Sequence, residues 1–316
     1  MRVQVDAGGR IHFGLIDLTG ATPRAYGGIG AMLAEPQLRV SGIPSANVRV
    51  SGLDHDVVLR KRVLRALRSL QESTGSASAR LHVAHSLPRH HGLGSGTATI
   101  LSCLVAMNAI CDAGATEADL VQISGRGGAS GTGVNGYWRG GLIVDCGREP
   151  QKTRLPSGAQ QASSASLLVQ RIAPPPWPID VFLPERGVLI SGATESRIFS
   201  RAARGSKRES LEALALLYHG LVPALLRGDL EEFGYHMREY QARGLKKYEI
   251  AFQDESVRSL MDEMQSAYPC VAMSSMGPAV VGIRDLGTDA PRLDSGQSPA
   301  YTTWVDNEGA RVTWKE

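Results

Sequence analysis

PRHHGLGSGT, residues 88–97, places three glycines within five positions beside hydroxyl and imidazole side chains, and an apolar run at 98–110 follows directly. Because glycine has no side chain, the backbone of such a loop can approach a ligand closely. Its N–H groups, with the positive end of the following helix, suit a phosphate or diphosphate group. The sequence therefore predicts phosphate binding by the consecutive residues Gly92, Leu93, Gly94, Ser95, Gly96 and Thr97.

This loop matches neither of two common nucleotide-binding motifs. No Gly-Lys-Ser/Thr follows, as a P-loop requires, and the glycines do not fit the dinucleotide pattern G-x-G-x-x-G. Taken alone, a glycine-rich turn that only starts a helix explains the stretch equally well. The choice between these two interpretations depends on the rest of the chain.

Composition describes an ordinary globular protein long enough for about two domains. Of the 316 residues, 42% are hydrophobic, 21% are charged and 5% are aromatic. No apolar run approaches the ~20 residues of a membrane span, and the N-terminus lacks the apolar core of a signal peptide, so we expect a cytoplasmic protein without membrane contact. The formal net charge of +3 is too small to indicate nucleic-acid binding. The four cysteines have no metal-ligand spacing, so we expect reduced thiols.

The hydrophobic pattern predicts strands and helices in both halves of the chain. Helical spacing is visible at 56–73, 97–112, 209–226, 229–242 and 255–267, and Thr116 with Asp119 resembles a capping box. Residues 17–30 and 148–176 look like loops, and 187–191 looks like a strand. We therefore predict an α+β protein of two domains, an N-terminal phosphate-binding domain at 1–170 and a second domain at 171–316.

Several motifs, taken together and in order, resemble the GHMP-kinase superfamily. Within it, the chain is most similar to β-ribofuranosylaminobenzene 5′-phosphate synthase and to the related synthases of C-nucleoside antibiotics such as formycin and pyrazofurin. The matching stretches span nearly the whole chain: Arg10-Ile11-His12, Ile16-Asp17-Leu18, Arg24 with Gly27-Gly28-Ile29-Gly30, the 88–97 loop, Gly125-Arg126-Gly127 with Ser130-Gly131 and Gly133, Gly140-Gly141 with Ile143-Val144-Asp145, Ser191-Gly192 with Glu195 and Phe199, and Ser274-Ser275 with Gly277-Pro278.

This resemblance implies a fold and a reaction. The fold has an N-terminal domain like ribosomal protein S5 domain 2 and a C-terminal ferredoxin-like α/β sandwich. The reaction transfers ribose 5-phosphate from phosphoribosyl pyrophosphate (PRPP) to a ring carbon that bears a carboxylate, with loss of diphosphate and CO2. Mg²⁺ would bridge the diphosphate, and the protein would be a homodimer acting on small molecules.

The resemblance also suggests roles for individual side chains. Asp17 would contact a ribose hydroxyl, the metal or the developing cation, Arg24 would contact diphosphate or the acceptor carboxylate, and His90 would donate to phosphate or polarise the acceptor. Arg126, Ser130, Ser274 and Ser275 would hydrogen-bond in the pocket. Each residue also has a plainer explanation, as a loop charge, a helix cap or a turn residue.

Two departures from the family pattern concern the acceptor. Ala98 stands where a glutamine usually follows the loop, and Met276 stands where a tryptophan usually separates the Ser-Ser and Gly-Pro pairs. Both changes would reshape an aromatic pocket and leave the phosphate side intact. We therefore expect a small nitrogen heterocycle, most simply a pyrazole dicarboxylate, with 4-amino- or 4-hydroxybenzoate as the alternative.

Two other functions remain open at the level of sequence. The superfamily consists mostly of ATP-dependent small-molecule kinases, but these usually carry Ser-Ser-Ala where this loop has Ser95-Gly96-Thr97, and a metal-binding carboxylate on a nearby helix. The first acid after this loop is Asp112. A non-catalytic sensor of a phosphorylated sugar is the second alternative, and tight PRPP binding without turnover would favour it.

Overall fold

The computed structural model describes residues 1–150, 155–156, 166–190 and 192–316, so Ser191 of the motifs above lies outside the described residues. The first sheet has seven strands, of which β11, β1, β2, β4 and β3 are adjacent in that order, while β5 pairs with both β2 and β6. Its strands are β1 (Arg2–Asp17), β2 (Tyr26–Ser45), β3 (Arg49–Ser51), β4 (Ser78–His85), β5 (Leu142–Asp145), β6 (Leu168–Ile172) and β11 (Arg311–Lys315).

Four helices cover this sheet. They are α1 (Val57–Thr74), α2 (Ser95–Ile110), α3 (Glu117–Ser124) and α4 (Thr132–Arg139). Asp56 caps α1 by accepting from the Leu59 N–H, and Thr116 with Asp119 forms the predicted capping box of α3. Helix α2 is buried on nearly all sides, which explains its continuously apolar sequence.

The second half contains a four-stranded antiparallel sheet in the order β10, β7, β9, β8. This is the strand order of a ferredoxin-like sheet, in which the first and third strands are central. Its strands are β7 (Ile179–Phe182), β8 (Cys270–Met273), β9 (Val280–Ile283) and β10 (Tyr301–Thr303). The helices of this half are α5 (Gly192–Ala203), α6 (Lys207–Leu216), α7 (Val222–Arg227), α8 (Leu230–Gln241), α9 (Gly244–Phe252) and α10 (Glu255–Ala267). A π-helical turn (Leu217–Leu221) joins α6 to α7.

The largest hydrophobic core joins the two halves. Phe13 of β1, Val181 of β7 and Leu217 of the π-helical turn are all buried in it. The stretch Lys207–Arg227 is long and apolar enough, by composition alone, to cross a membrane. Its residues Leu217, Leu221 and Ala224 are nevertheless fully buried in this core. The apolar composition of this stretch is therefore that of a core helix.

The sequence patterns located most elements but missed three helices. The structure has α4, which begins inside a second glycine-rich stretch (residues 125–134) and ends at Arg139, and it has α5 and α9 where no helix was predicted. The loop predicted at 17–30 is shorter, because β2 already begins at Tyr26. No strand forms within 187–190, and β6 lies inside the predicted 148–176 loop.

The predicted division at residue 170 differs from the sheet membership in two places. It falls within β6, which pairs with β5 of the first sheet. In addition, β11 at the end of the chain pairs antiparallel with β1, from Arg2 with Lys315 to Asp6 with Arg311. The first sheet is therefore completed by the last strand of the chain, a long-range pairing that local patterns do not reveal.

The shared core gives a stability prediction. Phe233 of α8 is 1% exposed and packs against Phe13 and Trp177, with ring centroids at 6.5 and 5.8 Å. We expect Phe233→Ala to lower the free energy of unfolding by about 3–5 kcal/mol, because it removes a buried ring and leaves a cavity. Urea unfolding measures this change, with Tyr235→Ala as control, since Tyr235 lies on the same helix and is 61% exposed. Equal losses of stability in both variants would contradict the assignment of Phe233 to the shared core.

Candidate functional site

A cleft of about 470 Å³ runs along the predicted loop. Its walls come from both halves of the chain: the start of α1, the 92–97 loop, the second glycine-rich stretch, α5, α9 and the turn after β8. Of the predicted site residues, His90, Gly92, Leu93, Gly94, Ser95, Gly96, Thr97, Arg126, Ser130 and Ser275 line it. The structure thus brings together residues separated by more than half of the sequence.

The loop places the N-terminus of α2 in this cleft. Gly94 caps the helix with a left-handed backbone, φ 73°, and within the described residues the helix has no side-chain cap hydrogen bond. Arg10 holds the loop in place. Its backbone N–H donates to Leu93 O (2.9 Å), and its guanidinium donates to Gly92 O (2.7 Å). A 16-residue helix that begins with an uncapped N-terminus provides N–H donors and a partial positive charge.

Four arginines line the same cleft: Arg10, Arg62, Arg89 and Arg126. Arg126 donates from Nε to Thr97 Oγ1 at 3.0 Å, so it lies directly beside the loop. Burial lowers the pKa of Arg10 to about 10, and the charge of Arg126 acts in the same direction. Burial likewise lowers the pKa of Arg126 to about 10. Both guanidiniums therefore stay charged at neutral pH in a crowded cationic site, and a bound anion would relieve their repulsion.

Three carboxylates face these cations. Asp56 is engaged, since it caps α1 and pairs with Arg89. Glu249 pairs with Lys246, whereas Glu195 makes no hydrogen bond or ion pair with any part of the chain that the structure describes. Burial raises the pKa of Glu195 to about 7, reinforced by the charge of Glu249 and opposed by Arg126 and Arg10. Glu195 is therefore the cleft carboxylate that remains available to a ligand.

Lys246 and Glu249 form a buried ion pair behind the cleft floor. Nζ of Lys246 lies 2.5 Å from Oε2 of Glu249, with side-chain exposures of 0% and 5%. The same ammonium donates to Ser275 O (2.7 Å) and Met273 O (3.3 Å). Burial lowers the pKa of Lys246 and raises that of Glu249. The pair thus holds the Ser275 turn and presents Glu249 to the cleft.

Ser274 has a structural role in place of the predicted contact in the pocket. Its hydroxyl accepts from the His12 N–H (3.0 Å) and donates to Gly92 O (2.8 Å), while the Ser275 N–H donates to His12 O (2.7 Å). Ser274 is fully buried and ties β1, the 92–97 loop and the turn after β8 together. Ser275, next to it, lines the cleft with φ 53°.

Part of the cleft wall is apolar. Leu15, Ala129, Ile190, Phe199 and Met276 line the cleft and belong to one hydrophobic cluster. Met276 is 6% exposed, and its carbonyl accepts from Gln253 at 2.6 Å. Ala98, in contrast, packs in the core beneath the first sheet and is not a lining residue. Of the two departures that we expected to alter the acceptor pocket, only Met276 lies at the cleft.

Asp17 is placed outside the lining of the cleft and has a structural role. Its carboxylate, 1% exposed, accepts from the backbone N–H groups of Thr19, Gly20 and Thr22 and from both threonine hydroxyls, at 2.7–3.1 Å. Burial works against its charge, yet these hydrogen bonds lower the pKa of Asp17 overall. The carboxylate therefore organises the turn after β1, and a direct contact with metal or ribose does not follow from its position.

Arg24 is likewise engaged away from the cleft. It donates from Nε to Cys146 O (3.1 Å) and from its guanidinium to Gly147 O (2.9 Å), which ties the loop before β2 to the end of β5.

His90 and Ser130 do line the cleft. Partial desolvation, followed by the charge of Arg89, lowers the pKa of His90, so it is neutral at neutral pH. Ser130 accepts from the Thr132 N–H at 3.3 Å at the start of α4.

The groups that sequence reasoning left without a role are Arg10, Glu195, Lys246 and Glu249. Arg10 and Glu195 belong to the matching motifs, so a signal for them existed. Lys246 and Glu249 lie on α9, a helix that no pattern predicted, and only tertiary packing brings them to the cleft.

Comparisons with known proteins identify the family and the fold. The family described as GHMP kinases N terminal domain matches residues 61–139. The chain is 34% identical over 286 residues to a β-ribofuranosylphenol 5′-phosphate synthase of Methanothermobacter thermautotrophicus, with 87% of each chain covered, and 32% identical over 279 residues to one of Archaeoglobus fulgidus, with 87% and 86% covered. In fold it is similar to a homoserine kinase of Cytophaga hutchinsonii, with TM-score 0.69, 15% identity, and 99% and 97% of the chains covered.

The position of Asp17 leads to a stability prediction. We expect Asp17→Asn to lower the free energy of unfolding at pH 7 by about 1–3 kcal/mol, because buried donors of the turn lose their charged acceptor. The lowered pKa of Asp17 stabilises the fold above the unfolded value of about 3.9, and this stabilisation is lost as the pH falls through the folded pKa. The difference between wild type and variant should therefore shrink below about pH 4.

Urea unfolding from pH 7 downward tests this, with Asp289→Asn, at an exposed aspartate, as control. If the Asp17→Asn variant is as stable as wild type but has lost turnover, Asp17 takes part in the reaction and the structural role is wrong.

Proposed function

Because the chain belongs to the family of β-ribofuranosylphenol 5′-phosphate synthases within the GHMP-kinase superfamily, we propose that it transfers ribose 5-phosphate from PRPP to a ring carbon of a carboxylated aromatic acceptor, with loss of diphosphate and CO2. One observation carries the proposal: a single cleft combines the N-terminus of α2, Arg10 and Arg126 with an apolar surface that includes Phe199 and Met276. A donor rich in phosphate fits the first set of groups, and a flat ring fits the second.

The anion side supports departure of diphosphate. The first N–H groups of α2 and the two buried guanidiniums lie where negative charge would accumulate as the bond from C1 of the ribose to diphosphate breaks. Since the positive charge left at the sugar is short-lived, the acceptor must already lie on the opposite face of C1. Met276 and Phe199, in the apolar wall, can hold a ring in that position. Loss of CO2 then restores the aromatic ring.

Mg²⁺ fits the acidic groups of this cleft. Magnesium is usually held by substrate phosphates and one or two carboxylates, and Glu195 is the lining carboxylate without a protein partner in the described residues. Glu195, in place of Asp17, would therefore hold the ion against the diphosphate. Bound there, Mg²⁺ would neutralise charge on the leaving group.

An ATP-dependent kinase is the second candidate, since the solved structures of similar fold include a homoserine kinase. That likeness, at 15% identity, concerns the fold alone. Beside the loop, Thr97 is contacted by the guanidinium of Arg126, in a position where the kinases of this superfamily usually carry Ser-Ser-Ala. This arrangement favours a diphosphate that leaves over a triphosphate that donates its terminal group.

The proposal is tested first at Gly96. A side chain built there meets no atom within 4 Å, and Gly96 lines the cleft, so Gly96→Val should fold normally and block the anion site. We expect Mg²⁺-dependent PRPP affinity, measured by calorimetry, to fall at least about tenfold. Gly94→Val is not an equivalent test, because φ there is 73° and its side chain would lie 2.6 Å from Arg10. Unchanged affinity in folded Gly96→Val would place PRPP elsewhere.

The acceptor is the second test. We propose a nitrogen heterocycle with a carboxylate at the attacked carbon, such as an aminopyrazole dicarboxylate, and a role in C-nucleoside synthesis, because Met276 replaces a stacking residue at the cleft wall. The name of the relatives favours a phenol-type ring instead. Enzyme, Mg²⁺ and PRPP are incubated in parallel with 4-aminobenzoate, 4-hydroxybenzoate and 4-aminopyrazole-3,5-dicarboxylate, and CO2 and product mass are measured. Turnover of the benzoates alone would refute the heterocyclic acceptor.

A further inference from the structure

Two of the arginines that line the cleft, Arg62 and Arg89, have no role in binding the diphosphate or its metal ion. Arg62 lies in the second turn of α1 and lines the cleft together with Val58, four positions earlier on the same face of the helix. Arg89 precedes the 92–97 loop and pairs with Asp56, the residue that caps α1. Two guanidiniums from separate segments of the chain therefore lie at the α1 end of the cleft.

Hydrogen bonds distinguish this end from the diphosphate end. Arg10 and Arg126 both donate to groups of the 92–97 loop, at 2.7 and 3.0 Å. The ion pair of Arg89 with Asp56 lies outside that loop, at the start of α1. An anion at the N-terminus of α2 would therefore engage the first two arginines and leave the α1 end of the cleft for another group.

The electrostatic neighbours of each arginine agree with this arrangement. Burial and then the charge of Arg126 lower the pKa of Arg10, whereas Arg126 is affected by Arg62 and, more weakly, by Arg89. Because Coulomb interactions weaken with distance, Arg126 lies between Arg10 and the other two. Glu195, the carboxylate proposed to hold Mg²⁺, is affected more by Arg126 and Arg10 than by Arg62. The metal thus belongs with the diphosphate.

His90 completes the α1 end. Its Nε2 lies 3.3 Å from the guanidinium of Arg89, and it lines the cleft with φ 60°, a conformation uncommon for a residue with a side chain. Desolvation and then the charge of Arg89 lower its pKa. Asp56 opposes this shift, while His91 and Arg62 add to it. A bound anion would counteract these cations and favour protonation of the imidazole, which would then offer a further donor.

We propose that Arg62, Arg89 and His90 form a second anion subsite, which binds the 5-phosphate monoester of the ribosyl donor while the N-terminus of α2 binds its diphosphate. The identity of this ligand rests on the proposed ribosyl transfer. Guanidiniums form charge-assisted hydrogen bonds with phosphate oxygens, and the donor is then held at both ends with its ribose between them. This fixes C1 of the ribose for attack by the acceptor.

The carboxylate of the acceptor is the competing occupant of this subsite. At neutral pH a phosphate monoester carries a charge of about −1.5 to −2, whereas a carboxylate carries a single negative charge. The lining groups at the α1 end are two arginines against one aspartate, Asp56, which already pairs with Arg89. The monoester is also linked covalently to the diphosphate, which raises its effective concentration at a neighbouring subsite. Both considerations favour the phosphate.

The test measures two probes separately by calorimetry at one ionic strength: ribose 5-phosphate, and inorganic diphosphate with Mg²⁺. Arg62→Gln removes a charge at an exposed position of α1, so the variant should fold. We expect it to weaken ribose 5-phosphate binding about tenfold and diphosphate binding less than about twofold. Gly96→Val, which obstructs the start of α2, should have the reverse effect. Arg62→Lys keeps the charge and should retain most of the affinity for ribose 5-phosphate.

The matched control is Arg65→Gln, at an exposed arginine of the same helix that is not among the residues lining the cleft. It should leave the binding of both probes unchanged. Equal weakening of both probes in Arg62→Gln would show a general effect of charge and overturn the subsite. So would a raised KM for the acceptor with unchanged ribose 5-phosphate affinity, which would assign the arginines to the acceptor carboxylate. Failure of wild type to bind ribose 5-phosphate at millimolar concentration would also overturn it.

An NMR titration of the His90 imidazole gives a readout that a purely structural role would not change. Ribose 5-phosphate should raise the pKa of His90 in wild type and in Arg65→Gln, and raise it less in Arg62→Gln. An unchanged His90 pKa in wild type would contradict the subsite.

The subsite and the proposed function can fail separately. If ribose 5-phosphate binding depends on Arg62 but no acceptor yields a C-riboside, the phosphate subsite stands and the proposed function is wrong. If the C-riboside forms and Arg62→Gln leaves kcat/KM for PRPP unchanged, the proposed function stands and the subsite is wrong.

Discussion

The hydroxyl of Ser274 is the contact on which the cleft depends. It accepts from the backbone of β1 at His12 and donates to the carbonyl of Gly92, so it joins the first sheet, the anion loop and the turn that follows β8. Ser275 and Met276 follow immediately, and their direction is therefore fixed relative to the start of α2. The loop and the turn are thus held in place relative to each other by buried hydrogen bonds, a type of contact that is costly to leave unsatisfied.

The second constraint is the charge of the cleft. Four arginines and three glutamate or aspartate side chains line a partly desolvated space, and the shifted pKa values follow from that crowding. Asp56 pairs with Arg89 and Lys246 pairs with Glu249, while Arg10, Arg62 and Arg126 all act on the charge of Glu195. An anion that carries its own divalent cation satisfies both kinds of charge at once, because the anion meets the guanidiniums and the cation meets the carboxylate.

The sequence located the 92–97 loop and the start of α2 because that pattern is local: three closely spaced glycines and the apolar helix appear in the same order in the structure. The sequence analysis gave Asp17 and Arg24 roles in substrate or metal binding, because a charged side chain that organises a loop and one that binds a ligand look the same in sequence. Glu249 and Lys246 could not be found, since they reach the cleft only through the packing of α9 against β1 and α5. The strand β11 was missed as a partner of β1 for the same reason, because nothing local encodes a pairing across 300 residues.

Kinases of similar fold and this protein can share one phosphate-binding element. A helix N-terminus behind a glycine loop stabilises any phosphate that gains negative charge, whether that phosphate is the group transferred or the group that leaves. What determines the outcome is the surrounding set of side chains. Here a guanidinium contacts Thr97 of the loop, and the same cleft has an apolar surface around Met276. Under the proposed function, an electrophilic sugar carbon held between the anion site and this surface would be attacked by a ring carbon, and the same loop would serve the formation of a carbon–carbon bond.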